Sequence, residues 1–326
     1  MRRFHCPSCR HEVFFANTAC LSCGTPLAYD PAQGFVALGG VAEPCANRAP
    51  ITCNWTAEPG AGLCRSCRHT TLVPDLTIPG NADRWARIEA AKRPLIRLLD
   101  LLGLPLLDAG GQPAPVFRLM GDPPGRGAPR VLTGHKGGTI TLNIAEADDA
   151  RREAMRNAMG EPYRTLAGHF RHEVAHHYWE VLTGDDPGRL DRLRAVFGDD
   201  RQDYGAALAA HYRDGPPPDW AQSHISGYAA AHPWEDFAET WAHVLHLLDG
   251  LETARAFGLV PATLPEDLPA LARLPMSALA DVWIDLSLAL NVVNQAMGHE
   301  TFYPFVLSPP VIAKMEVLRA LMTGEA

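Results

Sequence analysis

Two histidines in the middle of the chain have the spacing of ligands to one metal ion. His172 and His176 enclose Glu173 in the pattern His-Glu-x-x-His. On a helix, residues four apart lie one above the other on the same face, so both imidazoles can reach one metal. Glu173 would then be placed to take a proton from a water on that metal. The alternative is a buried helix whose histidines and glutamate only form hydrogen bonds.

A third ligand is expected from residues 232–243. The extended motif, with a further histidine six residues past the second, is absent because Leu182 occupies that position. Glu235 and Glu239 share a helix face, where two like charges repel each other unless a cation lies beside them. One glutamate can bind the metal, and the other can orient a ligand histidine. A solvated acidic face of the helix is the alternative.

His243 and His246 continue the same predicted helix. Either could bind a metal, although a hydrogen-bonding role inside the core is the favoured interpretation. Their roles stay open at the level of sequence.

The eight cysteines all lie between residues 6 and 67 and form two groups of four. The first group has two Cys-x-x-Cys knuckles about ten residues apart, which can surround one tetrahedral Zn²⁺. The second group has one such knuckle and two cysteines that a loop must bring together. The quartets are Cys6, Cys9, Cys20 and Cys23, followed by Cys45, Cys53, Cys64 and Cys67. Four thiolates close the coordination sphere, so the sequence predicts two structural zinc ions beside one catalytic zinc.

One segment resembles a known group of proteases. Residues 225–242 are similar to the lethal-factor-type gluzincins, in which a tyrosine is followed, after six residues, by Glu-x-Phe-Ala-Glu. This resemblance implies that Glu235 is the metal ligand, that Tyr228 assists catalysis, and that Glu239 supports a ligand without binding the metal itself. Nearly the whole chain also resembles bacterial zinc metallopeptidases with an N-terminal zinc ribbon. The motifs that carry this second similarity are the two cysteine quartets and residues 161–166, 168–173 and 233–243.

Together these patterns predict a zinc-dependent peptidase of the gluzincin type. His172, His176 and Glu235 are expected to hold a Zn²⁺ that activates a water for attack on a peptide or amide bond. Glu173 is the expected general base, and Tyr228 is expected to stabilise the developing oxyanion. The expected substrate is a peptide or protein, and a further protein partner could bind through the zinc ribbons.

Two other functions stay open. The ribbons could belong to a non-catalytic, zinc-stabilised protein that binds peptides or acts as an adaptor. A DNA-associated protease is a further alternative, because some such proteases combine His-Glu-x-x-His with a zinc ribbon. Nucleic acid is not an expected partner, since the net charge is −8 and residues 1–72, with six arginines against four acidic residues, reach only +2.

The elements that must position these residues indicate an α+β fold. Residues 1–72 are predicted to form a double zinc-ribbon-like module. Residues 73–103 are predicted to be a linker, whose Pro- and Thr-containing stretch begins at Thr70 and ends at Gly80, and a helix that Asn81 caps and Pro94 kinks or splits. Residues 104–326 are predicted to form a zincin-like, mostly helical metallopeptidase domain with a small sheet. Within it, the alternating residues 139–144 predict an edge strand that could pair with an extended substrate.

Length and composition agree with a globular protein. The 326 residues, 47% hydrophobic and 20% charged, are enough for one sizeable core and a small appended module. No run approaches about 18 apolar residues, so neither a transmembrane helix nor a membrane partner is expected. The basic start is not followed by an apolar run, so no signal peptide is expected and the predicted location is the cytoplasm. There, clustered cysteines indicate metal binding rather than disulfides.

Overall fold

The computed structural model divides the chain into two compact units. The first comprises Met1–Met159 and Arg164–Phe170, and the second comprises Gly160–Tyr163 and Arg171–Ala326. The residues that the structure describes are 2–40, 42–123, 130–152, 165–184 and 186–325. The predicted ranges 1–72, 73–103 and 104–326 follow motifs rather than these units, and they stay a prediction.

The first unit contains all the strands among the described residues. They are β1 (Phe4–His5), β2 (Glu12–Val13), β3 (Leu27–Asp30), β4 (Gly34–Ala37), β5 (Thr70–Leu72), β6 (Val116–Met120), β7 (Gly134–Lys136) and β8 (Thr139–Asn143). β1–β2 and β3–β4 are antiparallel pairs, and the other four strands form one sheet in the order β5-β6-β8-β7. The helices of this unit are α1 (Arg48–Ile51), α2 (Arg65–Arg68) and α3 (Asn81–Leu101). The α+β class expected from the sequence is confirmed.

The predicted edge strand lies inside the sheet, so that expectation is wrong. β8 pairs in parallel with β6 on one side and antiparallel with β7 on the other. Its alternation is correct, because Ile140 and Leu142 are fully buried. Side chains point perpendicular to the ladder, so alternation shows which face is buried and says nothing about which backbone edges are paired. The edge strands are β5 and β7.

Three further expectations about residues 70–103 need correction. The N-cap of α3 is Gly80, and Asn81 is the first helical residue. The helix continues through Pro94 as one element. Proline lacks an N–H and so removes one backbone hydrogen bond, and the burial of other side chains on this helix offsets that loss of stability. Thr70–Leu72, at the start of the expected linker, is strand β5.

Within its described residues, the second unit contains helices and loops but no strand. Its helices are α4 (Leu166–Thr183), within which the division between the units falls, α5 (Pro187–Phe197), α6 (Tyr204–Asp214), α7 (Pro233–Ala256), α8 (Leu268–Ala272), α9 (Met276–Ala296) and α10 (Pro309–Thr323). α7 begins at Pro233, a favoured first helical residue, with the His232 side chain accepting from the amide of Trp234. Sixteen residues of α7 are buried, including Phe237 and Trp241 of its three large aromatic residues, so it is the central helix of this unit.

α9 is long and apolar enough to cross a membrane by length and composition, although only 33% of its apolar window is buried. One such helix is weak evidence for a membrane, because a core helix of a soluble protein passes the same test. Leu279 and Trp283 in the first half of α9 are buried, whereas Leu288 and Val292 in its second half are exposed. The expectation of a chain without a membrane span therefore stays a prediction.

We predict that Gly250→Ala destabilises the protein. An added Cβ would lie 2.8 Å from Cη2 of Trp283 and even closer to Cζ3, and this indole is 3% exposed, so it has little room to move. Overpacking of this kind lowers the free energy of unfolding by about 1–3 kcal/mol. Urea unfolding followed by circular dichroism measures the change.

The matched control is Gly205→Ala in α6. Its added Cβ would lie 3.5 Å from Oδ1 of Asp203, which is an ordinary contact. A compatible glycine-to-alanine change in a helix is neutral or stabilising by about 0.4–1 kcal/mol. Equal effects of the two variants would contradict the packing argument.

Candidate functional site

The first cysteine quartet is assembled by two turns of the same kind. Sγ of Cys6 lies 3.7 Å from Sγ of Cys23, and Sγ of Cys9 lies 3.6 Å from Sγ of Cys20. In each knuckle, the residue four positions after the first cysteine donates its amide to that cysteine's carbonyl oxygen. These residues, Arg10 and Gly24, have φ of 65° and 73°. The left-handed turn is what bends both sulfurs of a knuckle toward one point.

The second quartet is fully buried, and the irregular pair is joined by the loop that the sequence requires. The short helix α1 and the left-handed residue Thr52 reverse the chain between Cys45 and Cys53. Sγ of Cys53 lies 3.7 Å from Sγ of Cys64. The four ligand atoms of each quartet lie within 4.8 Å of one another, so each set can hold one metal ion. Four cysteine sulfurs are a typical donor set of structural zinc.

The predicted catalytic ligands are also brought together, entirely within the second unit. His172 and His176 lie on α4, with ring centroids 5.0 Å apart, and Glu235 lies on α7. Oε2 of Glu235 is 3.1 Å from Nε2 of His172, and Oε1 is 3.8 Å from Nε2 of His176. The three residues are buried, and one ligand atom from each lies within 4.8 Å of the others. Aromatic contacts hold the two helices at this point, with Tyr178 stacked on Trp241 at 5.2 Å.

Glu239 supports His172 from the other side of the ring. Its Oε1 is 2.7 Å from Nδ1 of His172, and its Oε2 accepts a hydrogen bond of 2.7 Å from the hydroxyl of Ser226. A proton on Nδ1 leaves Nε2 as the nitrogen that faces Glu235. This arrangement is the one expected for a glutamate that orients a ligand histidine.

The electrostatics of the site favour a cation between these groups. Burial would raise the pKa of Glu235, but the imidazole of His172, whose Nε2 lies 3.1 Å from Oε2, outweighs burial and lowers this pKa to about 2. Burial would lower the pKa of His172, yet Glu235 and Glu239 raise it well above its ordinary value. The buried carboxylate of Glu235 and the partly buried carboxylate of Glu239 thus stabilise one positive charge, which a proton or a metal ion can supply.

The donor set passes a direct test of fit to zinc. Oε2 of Glu235 is buried and, within the described part of the chain, accepts no hydrogen bond. A buried carboxylate oxygen without a donor is costly, and a cation beside it removes that cost. Two histidine nitrogens and one glutamate oxygen are a known ligand set of catalytic zinc, with a fourth position left for water or substrate.

The two predicted catalytic side chains lie in the same region. Glu173 is buried on α4, and its charge acts on both His176 and Tyr204. The ring of Tyr228 lies 6.0 Å from the ring of His172. Burial raises the pKa of the Tyr228 phenol, so the hydroxyl keeps its proton and can donate a hydrogen bond.

Three neighbours of the site were not assigned from the sequence. The hydroxyl of Tyr204 donates to Oε1 of Glu235 at 2.6 Å, Ser226 donates to Glu239, and the Trp234 ring lies 4.6 Å from the His176 ring. Ser226 and Trp234 lie beside residues that the sequence had singled out. Tyr204 is 31 positions from Glu235, and no spacing rule connects them.

His243 and His246 are buried and have hydrogen-bonding partners within the second unit. Nδ1 of His243 is 2.8 Å from the hydroxyl of Tyr303, and Nδ1 of His246 contacts the guanidinium of Arg171. Burial lowers the pKa of His243 to about 4, so this imidazole is neutral at pH 7. These contacts agree with the hydrogen-bonding interpretation.

We predict that Glu239→Gln weakens zinc binding at the histidine site by about 10–100-fold, because it removes the charge that orients His172. Competition with a chromophoric chelator measures the dissociation constant. Ser226→Ala is the matched control, since it leaves the glutamate oxygen that faces His172 in place and is expected to have a smaller effect. Unchanged zinc affinity in Glu239→Gln would contradict the supporting role.

Comparison with known proteins agrees with this geometry. The family described as "Putative zinc-binding metallo-peptidase" matches residues 81–321, and a zinc-ribbon domain family matches residues 3–78. Uncharacterized proteins of Mycobacterium bovis and Mycobacterium tuberculosis are 43% identical over 331 residues, covering 99% of this chain and 95% of theirs. No solved structure matches. The chain belongs to this family of zinc-binding metallopeptidases and carries its zinc-ribbon domain at the N-terminal end.

Proposed function

We propose that this protein is a zinc-dependent peptidase of the gluzincin type, which hydrolyses a peptide or amide bond. The observation that carries the proposal is the buried carboxylate of Glu235, which lies against Nε2 of both His172 and His176. Membership of a zinc-binding metallopeptidase family supports a zinc peptidase in general. The geometry adds the residues that would perform the reaction.

His172, His176 and Glu235 would hold the catalytic zinc. When bound, Zn²⁺ supplies a Lewis acid that polarises a carbonyl and lowers the pKa of a water toward ~7. The site is buried, which strengthens every charge interaction within it relative to bulk water. Glu239 keeps the His172 ring in one orientation through its hydrogen bond to Nδ1.

Glu173 would act as the general base. It takes a proton from the attacking water at its carboxylate and returns that proton to the nitrogen of the leaving amine. It precedes His176 by three residues on α4, so both side chains project on the same side of this helix. Its burial limits competing hydrogen bonds from bulk water.

Tyr228 would stabilise the charge that develops on the substrate oxygen. Its phenol stays protonated at neutral pH because burial raises its pKa. A donor that is already oriented costs no reorganisation when the charge forms. Tyr228 precedes the 3-10 helix Ala229–Ala231, and α7 begins two residues after that helix. This short connection ties the position of Tyr228 to that of Glu235 on α7.

The two cysteine quartets would each hold a structural zinc, and we place the protein in the cytoplasm, where their thiols stay reduced. The proposed substrate is a peptide or protein segment. The first quartet also offers a surface for a protein partner, since Leu21, which lies within its second knuckle, is 84% exposed.

We predict three zinc ions per chain by elemental mass spectrometry of the purified protein. His172→Ala is expected to lower the count to two, because it removes a ligand from the site with three protein ligands. His299→Ala, at an exposed histidine, is the matched control and is expected to leave the count unchanged. A wild-type count of two that His172→Ala does not lower would contradict the catalytic zinc.

We predict that Glu173→Gln lowers the rate of peptide hydrolysis by about 10²–10⁴-fold while zinc content and unfolding midpoint stay those of the wild type. A library of quenched fluorescent peptides measures the activity. Glu180→Gln, on the same helix at an exposed position, is the control and is expected to be fully active. Identical peptide binding by Glu173→Gln and wild type, without hydrolysis by either, would instead support the adaptor function.

A further inference from the structure

We propose that Tyr204 is a positioning residue for Glu235, and that through it helix α6 is coupled to the metal site. This inference rests on the proposed role of Glu235 as a metal ligand. Nothing in the spacing of the sequence connects these two residues. The coupling is visible only in the folded second unit.

The hydroxyl of Tyr204 makes the two carboxylate oxygens of Glu235 different from each other. It donates to Oε1 of Glu235 at 2.6 Å, whereas Oε2, 3.1 Å from Nε2 of His172, accepts no hydrogen bond within the described residues. A carboxylate can turn about its last bond and exchange its two oxygens. A donor held on one oxygen opposes that rotation and keeps the other oxygen directed toward the metal position.

The phenol ring is itself held by residues next to Glu235. Tyr204 is the first residue of α6, and the Asp203 side chain caps this helix by accepting from the amide of Ala206 at 2.9 Å. The ring lies 5.2 Å from the His232 ring and 5.8 Å from the Trp234 ring, both measured between centroids. The hydroxyl therefore reaches Glu235 from a ring whose orientation is already restricted.

Helix α6 lies at the surface of the second unit. None of its eleven residues is buried, and Tyr204 itself is 37% exposed. A helix without buried side chains gains little from the hydrophobic effect, so a hydrogen bond to a buried charge is a large part of its docking. Further along α6, the His211 ring lies 5.8 Å from the Tyr228 ring. The helix thus contacts both the proposed ligand and the proposed oxyanion donor.

Tyr204 is not placed to stabilise the substrate while this bond exists. A phenol has a single O–H donor, and the structure directs it to Glu235. Tyr228, by contrast, would use its donor on the substrate. The two tyrosines are therefore expected to affect different quantities, with Tyr204 acting on metal affinity and Tyr228 on the chemical step.

The test is zinc affinity at the histidine site of the full chain, measured by chelator competition. Tyr204→Phe keeps the ring and removes the hydroxyl, and it is expected to weaken zinc binding by about 10–100-fold. Tyr212→Phe, which removes a phenol hydroxyl from the same helix, and Tyr228→Phe are expected to leave the affinity unchanged. With Co²⁺ in place of zinc, only the Tyr204 variant is expected to change the visible absorption spectrum.

Hydrogen exchange of residues 204–214 in the wild type gives a second readout that needs no variant to fold. Coupling is reciprocal, so zinc must slow exchange in α6 if α6 strengthens zinc binding. Unchanged zinc affinity in Tyr204→Phe, together with exchange in α6 that zinc does not alter, would overturn the inference. If that result is found and Glu235→Gln nevertheless loses the zinc, the inference about Tyr204 fails while the proposed function stands. If Glu235→Gln keeps wild-type affinity, both fail.

Discussion

The candidate site depends on one buried carboxylate, because Glu235 is only 1% exposed and its charge must be compensated. His172 and His176 supply the compensation from α4, and Glu239 holds the nearer ring in place. Two helices must therefore meet with their i, i+4 pairs facing each other. The stacking of Tyr178 on Trp241 holds the two helices together by apolar contacts, which leaves the polar groups available to bind a metal ion.

The same metal would serve two purposes through different donor sets. In each cysteine quartet four sulfurs would close the coordination sphere, so zinc there would contribute folding energy to a unit whose strands are short. At the histidine site three protein ligands leave one position for water or substrate. The quartets also differ from each other, since Cys9 and Cys23 are exposed whereas the second quartet is wholly buried.

The surroundings of the ligands connect the site to elements that have no ligand of their own. Ser226 reaches Glu239 from the segment before α7, and Tyr204 reaches Glu235 from α6. Each contributes one hydrogen bond to a carboxylate that already contacts a histidine. Because such bonds restrict rotation rather than add ligands, we expect them to act on the geometry and affinity of the proposed metal site.

The sequence alone determined what depends on spacing within one element. The sequence predicted the grouping of His172, Glu173 and His176 because residues four apart share a helix face. It predicted the Cys-x-x-Cys knuckles because a tight turn brings both sulfurs together. The interior position of β8 and the contact of Tyr204 with Glu235 were decided only by the tertiary structure. Alternation and helical periods report which side of an element is buried, since they are local properties. Which elements meet, and which atoms then lie within hydrogen-bonding distance, depends on packing among residues far apart in the chain.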